Sequence, residues 1–117
     1  MQTEAGTLSV ARCGGVTLAI AEETYRLTRD ALHTLLFYGQ SVPLVRRRES
    51  VHPGGVIVAE TVIDGYVSVH LSGRVVLVET RAGQFAVPFG CFQQVARGEV
   101  ISAPLVPVAQ GDAGGVL

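Results

Sequence analysis

The feature that most constrains the fold is residues 54–92, where turn signals separate short runs of strand-forming residues. The runs 56–63, 66–71, 74–80 and 84–87 are dense in β-branched and aromatic side chains, which suit a pleated surface. The pairs Asp64-Gly65, Ser72-Gly73 and Ala82-Gly83 lie between them. Two-residue hairpin turns need positive φ, which Asp and Gly tolerate. The sequence therefore predicts a four-stranded antiparallel meander.

Two-residue turns at all three pairs also predict which residues share a face of that meander. Opposite partners lie on one face and successive residues alternate. One face is then apolar apart from Glu60: Val56, Val58, Val62, Val67, Val69, Leu71, Val76, Val78, Phe85 and Val87. The other is mixed: Ile57, Ala59, Thr61, Ile63, Tyr66, Ser68, His70, Val75, Leu77, Glu79 and Arg81. Either the N-terminal half of the chain covers this mixed face, or the face binds a ligand or another subunit.

The rest of the chain predicts an α+β fold. A hairpin turns at Gly14-Gly15, a helix spans 22–38 and stops at Gly39, and a second, short helix spans 89–97. Residues 41–45 read as a short strand, and 100–108 as an extended segment kept off a central strand by its prolines. We expect an antiparallel sheet of five to seven strands with the long helix on its apolar face. A shift of 67 residues overlays two hairpin–helix units.

The whole chain fits one domain, residues 1–108, followed by a Gly-rich tail at 109–117 that we expect to be disordered. Hydrophobic residues make up 48% of the 117, whereas charged residues make up 16%, below the usual quarter. Such a small domain often hides surface in an oligomer, so we expect a homo-oligomer, a dimer or larger.

The net charge and the cysteines limit which partners and which cellular compartment the sequence predicts. The net charge of −1 counts against a strongly electrostatic nucleic-acid binder, although all nine basic residues are Arg. No secretory signal or membrane-spanning run is visible, so we expect no membrane partner. Cys13 and Cys91 show no metal or disulfide spacing. We therefore expect free thiols in a cytoplasmic protein.

No motif predicts catalysis. His33, His52 and His70 fall on a predicted helix, loop and strand, and no local spacing joins them to cysteines or carboxylates. The paired glycines form no phosphate-binding fingerprint. The sequence therefore predicts a protein that is not an enzyme and holds no metal or cofactor.

A hairpin running into a helix, used twice around antiparallel sheet over residues 8–37 and 66–97, resembles the Whirly group and related coactivator-type proteins that bind single-stranded DNA. The resemblance lies in architecture. It implies binding of unpaired strands across curved sheet surfaces by an oligomer. Near-neutral charge and the lack of Lys depart from that family.

The candidate site joins stackable rings with flanking cations, the combination that single-stranded DNA or RNA requires. We expect Tyr66 and His70 to supply the rings from the mixed face. The cations are Arg46, Arg47 and Arg48 from the only charge run, with Arg81 and Arg12 at the rim. Two alternatives stay open: the arginine run is a solvated loop, or the protein is an oligomeric structural or protein-interaction module that binds no nucleic acid.

Overall fold

A computed structural model describes residues 6–11 and 14–108. Eight antiparallel strands follow one another in chain order around a closed barrel, and two helices pack on it. The elements are β1 (Gly6–Val10), β2 (Val16–Ile20), β3 (Glu23–Leu27), α1 (Arg29–Tyr38), β4 (Val42–Val51), β5 (Ile57–Val69), β6 (Val75–Thr80), β7 (Gly83–Pro88), α2 (Phe89–Ala96) and β8 (Ser102–Pro107).

The barrel closes where β8 pairs with β1, from Gly6 opposite Leu105 to Ser9 opposite Ser102. The predicted α+β sheet with one long helix is therefore wrong. The predicted extended segment at 100–108 is β8, and it pairs on both sides, with β1 and with β7. Pro104 and Pro107 are both exposed, while Ala103 and Leu105 are buried in the core.

The predicted helix at 22–38 is a strand followed by a shorter helix. Tyr25 and Leu27 are buried while Thr24 and Arg26 are exposed, the period-two pattern of a strand. α1 begins only after Thr28, whose Oγ1 accepts a hydrogen bond of 3.1 Å from the Ala31 N–H. Gly39 ends the helix in the left-handed conformation, as the sequence predicted.

The predicted hairpin turn at Asp64-Gly65 is also wrong, because β5 runs through it as one strand of 13 residues. The register of β4 against β5 shifts between Pro43, opposite Tyr66, and Val45, opposite Ile63. Asp64 and Gly65 together oppose one residue, which makes a β-bulge. Because the bulge adds one residue, Val58 and Val67 lie on the same face of the sheet, opposite Ser50 and Val42 of β4. Val67 is fully buried, whereas Val58 is exposed because it lies beyond the part of β5 that pairs with β6.

The fold repeats itself at a spacing close to 60 residues, not the 67 expected from sequence. Both halves run three strands, a helix and a strand. Buried residues recur at a shift of 60: Val16 and Val76, Leu18 and Val78, Tyr25 and Phe85, Leu27 and Val87, Leu32 and Phe92, Leu35 and Val95. These side chains fill the barrel and the space under the helices, and the described core buries no polar side chain.

Gly65 is required by close approach of a neighbouring strand. A Cβ at this position would lie 2.2 Å from the Glu79 carbonyl oxygen, whereas a Cβ on Gly90 in α2 would meet nothing within 4 Å. We expect Gly65→Ala to lower the free energy of unfolding by about 2 kcal/mol, because backbone must move to admit the methyl. Gly90→Ala is the matched control.

Chemical denaturation at fixed protein concentration measures both changes. In Gly90→Ala the new methyl has open space and favours the helix, so we expect a gain of about 0.5–1 kcal/mol. Equal effects of the two substitutions would show that the contact between β5 and β6 does not constrain residue 65.

Candidate functional site: a projecting arm and its base

Two strands of the barrel continue well beyond it. β3 pairs with β4 only as far as Arg46, and β6 pairs with β5 only from Gly65 onward. Past these points β4 and β5 pair with each other alone, from Arg47 opposite Thr61 to Val51 opposite Ile57. We call residues 47–63 the arm. It makes the molecule long, with principal extents of 52 × 31 × 26 Å.

The arm is solvated on both faces. Every residue from 47 to 61 is exposed, so no part of the described barrel or helices covers it. Both of its long edges also lack a neighbouring strand within the described chain. An isolated two-stranded hairpin is at best marginally stable in water. The arm therefore leaves the backbone groups of both its edges without a strand partner in the described chain.

The barrel itself does not need the arm. At a shift of 60 to 61 residues, the pair Tyr25 and Arg46 between β3 and β4 matches the pair Phe85 and Pro107 between β7 and β8. Those contacts are where each half joins its last strand to the barrel. β4 is joined to the barrel by Arg46, so the five residue pairs between β4 and β5 beyond Arg46 are not needed to close the barrel.

The charges of the arm cancel within it. Two arginines and two glutamates give a net charge of 2 − 2 = 0 over residues 47–63. Arg47 pairs with Glu49 at 3.0 Å, and Arg48 pairs with Glu60 directly across the ladder. Most of the remaining side chains of the arm are apolar, chiefly Val51, Ile57 and Ile63, which are 73%, 64% and 59% exposed.

An ion-pair cluster fixes the arm to the barrel, and we call it the arm base. Asp64 accepts a hydrogen bond of 2.7 Å from Arg46 Nε and forms a second ion pair of 3.1 Å with Arg81 Nε. Arg46 also lies 3.6 Å from Glu23. The side chains of Arg46 and Asp64 are only 13% exposed. The cluster ties β3, β4, β5 and the β6–β7 turn together where the arm leaves the barrel.

The arm base shifts the ionisation of its members. The hydrogen bond from Arg46 lowers the pKa of Asp64, and the hydrogen bond from Arg81 lowers it further. The same bond raises the pKa of Arg46. Burial raises the pKa of Tyr25, and the charges of Asp64 and Glu23 add to that effect. The pair at the base is therefore ionised and the phenol neutral at physiological pH.

The structure brings together some of the predicted site residues. Arg46 and Arg81 share Asp64, and Tyr66, which is 51% exposed, lines a depression of about 370 Å³ with Asp64 and Arg81. The run of arginines lies in β4 rather than in the predicted loop. Each of the three arginines has an acidic partner.

Other predicted site residues lie elsewhere. His70 comes directly after the last residue of β5. It lies four residues beyond Tyr66, which is about 13 Å along an extended strand. Its ring is engaged with Ser72 at 3.0 Å. Arg12 lies outside the described residues. Tyr66 and His70 therefore do not form the predicted stacking platform.

The arm was not predicted from the sequence. The signal was present: β-branched residues flank the turn at 52–55 on both sides, and the His52 N–H donates to the Val56 carbonyl at 2.7 Å to close that hairpin. A groove of about 470 Å³ between α1 and α2, lined by Leu36, Phe37 and Arg97 among others, was also not predicted.

The described residues contain no group of three or more His, Cys, Asp or Glu side chains placed to hold a metal ion. Neither described helix has the length and hydropathy needed to cross a membrane. No family model, no curated protein and no solved structure matches this chain.

The lowered pKa of Asp64 predicts how the arm base responds to acid. A carboxylate whose pKa is lowered on folding stabilises the folded state fully above its ordinary pKa of about 3.8, and that stabilisation is lost as the pH falls through the lower folded-state pKa. We expect Asp64→Asn to be less stable than wild type near neutral pH. The difference should shrink as the pH falls below about 4.

Urea unfolding from about pH 2.5 to pH 6, at one protein concentration, measures this difference. Glu49→Gln, at an exposed pair in the arm, is the control, and its effect should be small throughout. A stability difference for Asp64→Asn that stays constant down to the lowest pH would contradict the ion-pair account of the arm base.

Proposed function

We propose that this protein is a non-catalytic assembly module that self-associates through the arm. The observation that carries the proposal is the run of exposed residues from 47 to 61, in a hairpin with two free edges. Long exposed strand edges are a liability that proteins charge, shorten or cover. An arm kept at this length, with its charges cancelled, is suited to being covered by another protein surface.

The low charge content supports the same function. Only 16% of the residues are charged, and the arm carries five exposed large apolar side chains: Val51, Val56, Ile57, Val58 and Ile63. Apolar surface that meets a partner gains about 25 cal/mol for each Å² removed from water. The arm thus supplies apolar contact and unpaired backbone groups together, whereas the rest of the barrel has both edges of each strand paired.

Shortening the arm tests the proposal directly. Arg48 and Glu60 lie directly opposite each other, so replacing residues 49–59 by Asn-Gly should close a two-residue hairpin at that pair. We expect the wild type, whose chain mass is 12.3 kDa, to sediment as a dimer or larger species at micromolar concentration. The shortened variant, nine residues shorter, should sediment as a monomer.

Phe37→Ser is the control for this experiment. It removes an exposed aromatic ring from α1, outside the arm, and should leave assembly unchanged. Circular dichroism should show that both variants keep the barrel. A wild type that is monomeric across the concentration range, or a shortened variant that still assembles, would overturn the assembly function.

Single-stranded nucleic-acid binding is a second candidate, favoured by one observation: the half-exposed ring of Tyr66 and the exposed guanidinium of Arg81 line one depression. A base stacked on the Tyr66 ring would have its phosphate near the Arg81 guanidinium. Against it, Arg46, Arg47 and Arg48 are each held by an acid, so phosphates would have to displace Asp64, Glu49 or Glu60. The assembly function needs no such exchange.

Tyr66→Ala separates this candidate from the first. If the ring stacks on bases, the substitution should weaken binding of a short single strand by about 1–3 kcal/mol and leave the salt dependence nearly unchanged. Tyr38→Ala, at an exposed tyrosine on α1, is the matched control and should have no effect. Wild type that binds no single strand at low salt would exclude the nucleic-acid candidate.

A further inference from the structure

The two free edges of the arm are not equivalent. The β4 edge carries Arg47, Arg48 and Glu49 in succession, and charged side chains along an edge discourage strand addition. The β5 edge, residues 57–63, carries one charge, Glu60, which Arg48 already neutralises. It has no proline and is rich in β-branched residues, so it is the edge suited to accept another strand.

The hydrogen bonds of the arm show which backbone groups on that edge are free. The His52 N–H bonds to the Val56 carbonyl, so these two residues form a hydrogen-bonded pair of the ladder. Such pairs alternate along an antiparallel ladder. With Ser50 opposite Val58 and Arg48 opposite Glu60, the even-numbered residues of β5 bond to β4. The N–H and C=O groups of Ile57, Ala59, Thr61 and Ile63 therefore point outward.

We propose that β5 of a second copy of this chain pairs antiparallel with this edge, so that two arms form one four-stranded sheet. The inference rests on the proposed assembly function and names its partner and its edge. A second arm fits because it presents the same outward groups at the same spacing and carries no net charge, so the two arms do not repel. The other occupant, an unrelated strand, is an outcome of the test.

The symmetry of this pairing limits its register. A two-fold axis perpendicular to the sheet keeps each face continuous and places one residue opposite its own copy. Within residues 57–63 the central candidates are Ala59, Glu60 and Thr61. Glu60 opposite Glu60 would set like charges directly across the ladder, which is destabilising. Ala59 or Thr61 is therefore the residue that meets itself.

Proline substitution tests the edge without disturbing the ladder of the arm. Ala59 and Glu49 lie directly opposite each other as a non-hydrogen-bonded pair, so each directs its N–H to a free edge. Ala59→Pro removes a donor from the β5 edge and Glu49→Pro removes one from the β4 edge. We expect Ala59→Pro to weaken self-association by about tenfold or more and Glu49→Pro by less than about twofold.

Cysteine cross-linking tests the partner and the register. In the full chain with Cys13→Ser and Cys91→Ala, we expect Ala59→Cys or Thr61→Cys to form a disulfide-linked dimer on mild oxidation. Ser50→Cys, exposed on β4 of the same arm, should form far less. Sedimentation of each reduced variant shows whether it still assembles.

The outcomes distinguish the two claims. Stronger cross-linking from Ser50→Cys, or a larger effect of Glu49→Pro, would overturn pairing through β5 while the assembly function stands. Assembly that persists with no cross-linking from any of the three cysteines would also overturn β5 pairing. Wild type that sediments as a monomer throughout would overturn both claims, and leave the arm to an unrelated partner strand.

Discussion

Closure of the barrel is the constraint on which the rest of the structure depends. Each of the eight strands finds a neighbour on both sides within one chain, because β8 returns to pair with β1. A closed ring leaves no strand edge for other molecules, and its interior is filled by apolar side chains from both halves. A strand that extends past the closed ring therefore has an unpaired edge, and β4 and β5 both extend past it.

The β-bulge at Asp64 and Gly65 joins these two environments. On the barrel side β5 faces its apolar residues inward, and on the arm side no interior exists. The bulge shifts the register of β5 against β4, and Gly65 allows the close approach of β6. Asp64 holds β4 and the β6–β7 turn at the same point through its hydrogen bonds with Arg46 and Arg81. These contacts fix the orientation of the arm at its base, while the rest of the arm is exposed to solvent.

Local chemistry was predictable from the sequence, and its consequences over distance were not. Alternation identified most strands, and the helix stop at Gly39 followed from its conformation. The Asp64-Gly65 pair misled because the same two residues suit a hairpin turn and a β-bulge, and only the neighbouring strand decides. The bulge leaves Val58 and Val62 on the same face as Val67, as a hairpin would, but Val58 lies beyond the barrel and is exposed. Arg46, Arg47 and Arg48 were foreseen as a group, but their acidic partners at Asp64, Glu49 and Glu60 depend on pairing across the chain.

Hydrogen exchange of the arm amides at rising protein concentration tests the central claim, that the arm is completed by a second copy through β5. The amides of Ile57, Ala59, Thr61 and Ile63 point to the free edge, whereas those of Val58, Glu60 and Val62 bond to β4. The account predicts that the first set exchanges fast in dilute solution and slows with concentration, while core amides stay unchanged. Fast exchange of that set at every concentration would contradict it.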